Sequence, residues 1–163
     1  MKHFQFSFQT TLQTKLPPNI QSLIEAAEQI AHKAYAPYSH FKVGAAVLLH
    51  DGNLLTGCNH ENAAYPAGVC AERAALSSLD MSNGKQTVLA IAVTYLSHDL
   101  LPKPISPCGI CRQTILEVQQ WQNKPIAVYM CAPDGTIIVV DDAQYLLPFS
   151  FGSEYLDMPP DSH

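Results

Sequence analysis

The chain has 163 residues, 47% of them hydrophobic, which suits one domain with a sizeable core. Only 14% are charged, the formal net charge is −5, and nine Lys plus Arg form no basic run, so the footprint of a nucleic-acid-binding protein is missing and a small neutral substrate fits better. The longest apolar stretch, Gly44 to Leu49, is far too short to span a bilayer, and the polar segment from Met1 to Leu16 lacks a signal-peptide core.

Residues 1 to 18 read as peripheral, with Phe4, Phe6 and Phe8 alternating as in a short edge strand before Pro17-Pro18. From Asn19, a candidate N-cap, apolar residues at Ile20, Leu23, Ile24, Ala27, Ile30, Ala31 and Ala34 mark one helical face, stopped by Pro37. Val43 to Leu49 and Leu54 to Cys58 read as strands joined at Asp51-Gly52. A loop from Asn59 to Val69 leads to a helix over Cys70 to Leu79. Val88 to Tyr95 is nearly all apolar, as in a strand covered on both faces. After a proline-rich loop, His98 to Pro107, a helix is expected over Cys108 to Trp121. Strands at Ile126 to Met130 and Thr136 to Val140 flank the turn Pro133-Asp134-Gly135, and a short helix near Asp142 to Leu147 precedes an irregular tail. Strands alternating with helices predict a three-layer α/β/α sandwich around a mixed five-stranded sheet, in one domain over residues 1–163.

Five cysteines form no evident disulfide framework, and a reducing cytoplasm is the expected setting. Three of them carry most of the chemistry. Cys70 stands two residues before Glu72, and Cys108 and Cys111 lie in Pro107-Cys108-Gly109-Ile110-Cys111. Three thiolates are one ligand short of a closed tetrahedral zinc site, and a catalytic zinc keeps that fourth position for water. Helix starts favour thiolate over thiol, and the Cys-x-x-Cys spacing puts two sulfurs on one first turn. A carboxylate beside the open position, Glu72, can move protons. The competing readings are a redox pair, or a structural half-site closed by Cys58 or Cys131; both of those cysteines sit at strand ends, where core packing is the commoner role. None of the seven histidines shows ligand spacing to the three cysteines. Arg73 and Arg112 each follow a ligand closely, where a guanidinium donating to a thiolate would offset the net negative charge of a three-thiolate zinc.

These residues resemble the small, zinc-dependent cytidine deaminases of pyrimidine salvage, in the signature of zinc deaminases. The match runs from about Ala34 to Gln113. Its blocks are Ala34-Tyr35-Ala36-Pro37-Tyr38-Ser39, Phe41-Lys42-Val43-Gly44-Ala45-Ala46, Gly57-Cys58-Asn59-His60-Glu61-Asn62-Ala63-Ala64-Tyr65, Cys70-Ala71-Glu72-Arg73 and Ser106-Pro107-Cys108-Gly109-Ile110-Cys111-Arg112-Gln113, with a weaker echo at Leu146-Leu147-Pro148. Cys rather than His as first ligand is similar to the short-chain, homotetrameric branch.

The resemblance implies one zinc per subunit on Cys70, Cys108 and Cys111, with Glu72 as proton shuttle. It implies that Asn59 and Glu61 hold the ribose hydroxyls, that Phe41 lines the base pocket, and that Ala71 and Ser106 face the substrate. It also implies that Tyr65 and a C-terminal phenylalanine reach a neighbouring subunit's site; Phe151 is the better match and Phe149 its competitor. A sparse charged surface agrees with burial against other subunits. The residues alone leave Asn59 and Glu61 evenly divided between a sugar-binding pair and a polar turn, and read Tyr35 and Tyr38 as packing residues. Rival functions are a deaminase of another aminopyrimidine or antibiotic nucleoside, and a non-enzymatic zinc or redox module.

Overall fold

The computed structural model describes residues 1–82, 84–96 and 102–156. Helix α1 spans Pro18–Ala31. Its N-cap is Pro17 rather than the expected Asn19, because Pro18 fills the first helical turn, where its missing N–H leaves no bond unmade. Its stripe of Ile20, Leu23, Ile24, Ala27 and Ala31 is buried. Fully buried side chains such as Leu23 and Ile24 each contribute about 1.5–3 kcal/mol against exposure.

One mixed sheet forms the middle layer. Its strands are β1 (Gln9–Leu12), β2 (Lys42–Leu49), β3 (Leu54–Cys58), β4 (Val88–Leu96), β5 (Ala127–Cys131) and β6 (Thr136–Val140), in the order β1-β6-β5-β4-β2-β3. The β2–β3 and β5–β6 hairpins turn through Gly52 at φ 86° and Gly135 at φ 82°, left-handed positions that suit glycine. Only β4 and β5 run parallel, and the crossover between them is helix α3 (Gly109–Gln122). Helix α2 (Ala71–Leu76) follows β3.

The sheet has six strands, not the expected five. The extra strand is not the Phe4 to Phe8 run, which has no regular structure, but Gln9–Leu12, paired antiparallel to β6 with Gln9 opposite Val139 and Leu12 opposite Thr136. Main-chain pairing to an open edge selected it, and the β-branched Thr10 and Thr11 suit a strand although the segment shows no apolar alternation. Helix α2 is shorter than expected at its C-terminal end. The Ser77 hydroxyl turns back to the Ala74 carbonyl at 2.7 Å, a local bond that competes with continued helix. The expected loop at His98 to Leu101 lies outside the described residues.

Two apolar layers result from the alternation of the strands. Ala46, Leu48, Ala90 and Ala92 face α1. Val43, Ala45, Val47, Ile91 and Val93 pack with Ala71, Ala75 and Leu76 of α2 and Ile115 and Val118 of α3. The α/β/α layering is therefore as expected. Close approach of α2 to β3 requires Gly57, where a Cβ would strike the Ala71 carbonyl and the Ala75 amide. That contact fixes the height of the α2 start, and with it Cys70 and Glu72.

Candidate active site

The beginning of β2 and the ends of β3 and β4 lie at one end of the sheet, because Gly44 pairs with Cys58 and with Thr94. The chain leaves β3 for α2 and β4 for α3, so both helices begin at that end, the usual place for a site in an open α/β sheet. Cys70 and Cys108 occupy the N-cap positions of α2 and α3, both with extended backbone, and Cys111 lies in the first turn of α3.

The three sulfurs converge. Cys70 Sγ is 3.7 Å from Cys108 Sγ, and Cys108 Sγ is 3.4 Å from Cys111 Sγ. All three lie within 4.8 Å of one another, and they are the one such metal-competent cluster among the described residues. Four-coordinate zinc with Zn–S bonds of about 2.3 Å needs tetrahedral edges of about 3.8 Å, so the donor set fits that ion. Hydrogen bonds from Cys111 and Cys108 hold Cys70 down to about 6 despite partial burial. Donation to Cys70, with burial, pushes the Cys111 thiol up. Such a cluster keeps at least one sulfur anionic and gains from a cation. Cys58 and Cys131 stay apart from it and are buried. Burial pushes Cys131 up to about 12, so it remains a thiol.

Glu72 sits on the first turn of α2 and is 4% exposed. Burial raises its pKa, opposed by its own backbone N–H and by Cys111. A buried carboxyl with a raised pKa beside a metal-competent cluster is placed to exchange protons with groups in the cavity. A cavity of about 700 Å³ opens above it, lined among others by Cys70, Ala71, Glu72, Arg73, Ser106 and Cys108, and by Asn59, Glu61, Tyr65 and Tyr38. That volume suits a small organic ligand.

Residues 17–126 match the family model described as the cytidine and deoxycytidylate deaminase zinc-binding region. The chain belongs to the cytidine deaminase family. It is 41% identical to a cytidine deaminase of Halalkalibacterium halodurans over 134 residues, 82% of this chain and 95% of that one. The crystal structure of a cytidine deaminase from Burkholderia pseudomallei is similar at 42% identity and a TM-score of 0.69, covering 80% of this chain and 98% of that one. A cytidine deaminase structure from Mycobacterium tuberculosis follows at 35% identity and a TM-score of 0.61, covering 82% and 97%. The zinc that the three thiolates fit is thus the family's metal.

Other expected site residues fall in more than one place. Asn59 bridges the entry to β2: its Nδ2 donates to the Phe41 carbonyl at 2.9 Å, and its Oδ1 accepts from Val43 N at 2.8 Å. Glu61 accepts from Tyr38 N at 2.9 Å, Ser39 N at 3.2 Å and the Ser39 hydroxyl. These hydrogen bonds, the hydroxyl's first, lower its pKa, so it stays a carboxylate. Both therefore frame the 38–43 loop while facing the cavity. Phe41 is not among the lining residues; it stacks on Tyr95 with centroids 5.1 Å apart, and Val43 lines the wall instead. Tyr38, expected only to pack, lines the cavity and meets Tyr65 edge-on at 6.1 Å.

Arg73 lines the cavity, and its charge helps lower the Cys70 pKa. Arg112 acts differently from the expected thiolate donor. Its Nε donates to the Pro107 carbonyl at 2.9 Å, Nη1 to the Leu146 carbonyl at 3.1 Å and Nη2 to Ser106 Oγ at 2.8 Å. It braces the loop that delivers Cys108. Phe151 lies outside the cavity, with its carbonyl accepting from Gln113 Nε2 at 2.8 Å and its ring stacked on Tyr155. It is 59% exposed, Phe149 91% and Tyr65 77%, so all three rings are available to another molecule.

Proposed function

We propose that this chain hydrolyses cytidine, 2'-deoxycytidine or both to the corresponding uridine and ammonia, with Glu72 as the proton carrier. The observation that carries the reading is the juxtaposition of three convergent sulfurs with one buried carboxyl on a cavity of about 700 Å³. Zinc, when held by Cys70, Cys108 and Cys111, supplies the Lewis acidity that lowers the pKa of a water. Glu72 takes a proton from the attacking water and delivers it to N3 of the cytosine ring as oxygen bonds to C4. Glu72 then carries the second proton to the amine as the C4–N bond breaks, and ammonia leaves. Burial raises its pKa, which makes the proton-bearing form easier to reach than for an exposed carboxylate.

Neighbouring groups orient the base. Ala71 N–H belongs to the first turn of α2 and has no intrahelical acceptor, so it suits the ring carbonyl. The Ser106 main-chain carbonyl suits the exocyclic amine. Asn59 and Glu61 retain hydrogen-bonding capacity beyond the loop contacts and suit adjacent sugar hydroxyls. The carboxylate of Glu61 and the scarcity of cations along the cavity favour an uncharged nucleoside. Cytidine absorbance tests the activity directly: the zinc-loaded protein should convert its spectrum to that of uridine with stoichiometric ammonia, whereas an unchanged spectrum contradicts the reading.

The same reading makes the protein a cytoplasmic enzyme of pyrimidine salvage; thiol ligands suit a reducing compartment. It also makes it a homotetramer in which Tyr65 and Phe151 complete neighbouring sites. Support comes from the exposure of these rings, with Tyr65 on the cavity wall. Light scattering should give four times the chain mass for the active species; a fully active monomer would contradict shared sites.

A further inference from the structure

We propose that the segment before β1 is a positioning strap, which holds the Ser106–Cys108 loop in place through Phe6, Tyr145 and Arg112. The proposal rests on the zinc-and-Glu72 reading of the cavity and adds a support for it. Residues 1–16 lie outside the part of the chain matched by the family model, and residues 1–8 have no regular structure. Pairing of Gln9 with Val139 near the end of β6 delivers this segment beside the 3-10 turn Ala143–Leu146. There the Phe6 ring stacks on Tyr145 with centroids 5.7 Å apart and planes at 23°. Phe4 meets the same ring at 6.4 Å, near edge-on, and Phe8 meets Phe6 at 6.4 Å.

A 3-10 turn of four residues has few bonds of its own and takes its position from its neighbours. On its inner side, Gln119 of α3 receives Ala143 N at 3.2 Å and donates to Asp142 at 2.7 Å. Arg112 holds the Leu146 carbonyl. On the other side lie the strap's rings. The same guanidinium grips Ser106 Oγ and the Pro107 carbonyl. Its donors form a rigid planar fork, so a shift of Leu146 is passed to the residues immediately before the Cys108 ligand. Half-exposed phenylalanines along a polar segment gain their packing surface from this turn. Phe6 and Tyr145 are thus positioning residues: they act through Arg112 and touch neither metal nor substrate.

The full-length zinc-loaded protein is compared with Phe6→Ala, Phe6→Tyr and a chain lacking residues 2–8. Measured are zinc release to a chelator, amide exchange of residues 105–112 against that of α1, and solution mass. Phe6→Ala and the truncated chain should release zinc about tenfold faster, as when outer support of a metal site is removed. Exchange should rise at residues 105–112 and not in α1, and Phe6→Tyr should restore both. Wild-type zinc release in the folded variants overturns the strap alone. A uniform rise in exchange, or failure of Phe6→Ala to fold, makes the segment a general stabiliser and overturns it as well. So does altered assembly mass with unchanged zinc release, which makes the phenylalanines an interface. A wild-type chain that binds no zinc overturns the site reading and the strap with it.

Discussion

Glu72→Gln is expected to keep its zinc and its fold while losing about two to four orders of magnitude in kcat for cytidine, the range of a positioned acid–base group. Glutamine preserves the shape of a side chain that is 4% exposed on the first turn of α2, so its packing is retained. It cannot take a proton from water, and it cannot return one to the leaving amine. The measurement is steady-state kinetics beside elemental zinc analysis. A variant with normal metal and near-wild-type turnover would remove Glu72 from the role.

Cys108→Ser should abolish stable zinc binding and, with it, turnover. The Cys108 sulfur is within 3.7 Å of Cys70 Sγ and 3.4 Å of Cys111 Sγ, so it shares whatever ion the pair holds. A serine hydroxyl stays protonated near neutral pH and is a poor substitute for thiolate. Elemental analysis of the purified variant, beside Cys58→Ala and Cys131→Ala as controls, decides the matter. Both controls should retain one zinc per chain, since neither sulfur lies in the cluster. Full zinc in Cys108→Ser would exclude Cys108 as a ligand.

The parts of the molecule that could be read from sequence are those set by local rules. The Asp51-Gly52 and Pro133-Asp134-Gly135 turns fixed both hairpins, and the strand from Leu54 to Cys58 ends where expected. The Cys-x-x-Cys spacing placed two sulfurs on one helical turn, and Glu72 follows Cys70 on the first turn of α2. What escaped depends on partners distant in sequence. Gln9–Leu12 becomes a strand only because β6 offers an open edge. The Phe4 to Phe8 alternation, read as a strand, instead serves contact with Tyr145. Nearness in sequence puts Arg112 beside the thiolates, yet one of its donors reaches a turn 34 residues away.

From sequence, Asn59 and Glu61 read equally as a polar turn or a sugar-binding pair; in the fold they frame a loop and face the cavity. Their hydrogen bonds to Val43, Phe41, Tyr38 and Ser39 rigidify the 38–43 loop, and the same side chains line the cavity. Tyr38 was readable only as packing, because its neighbour Tyr65 arrives through that loop contact. Phe41, expected in the base pocket, stacks on Tyr95, a partner 54 positions on that its own neighbours in sequence do not reveal.

Zinc K-edge X-ray absorption on the loaded protein tests the central claim most directly. Three sulfur scatterers at about 2.3 Å with one lighter atom completing the set is the expected result for an open three-thiolate centre. Four sulfurs, or the outer-shell scattering of a histidine ring, would describe a closed or differently built site and contradict it.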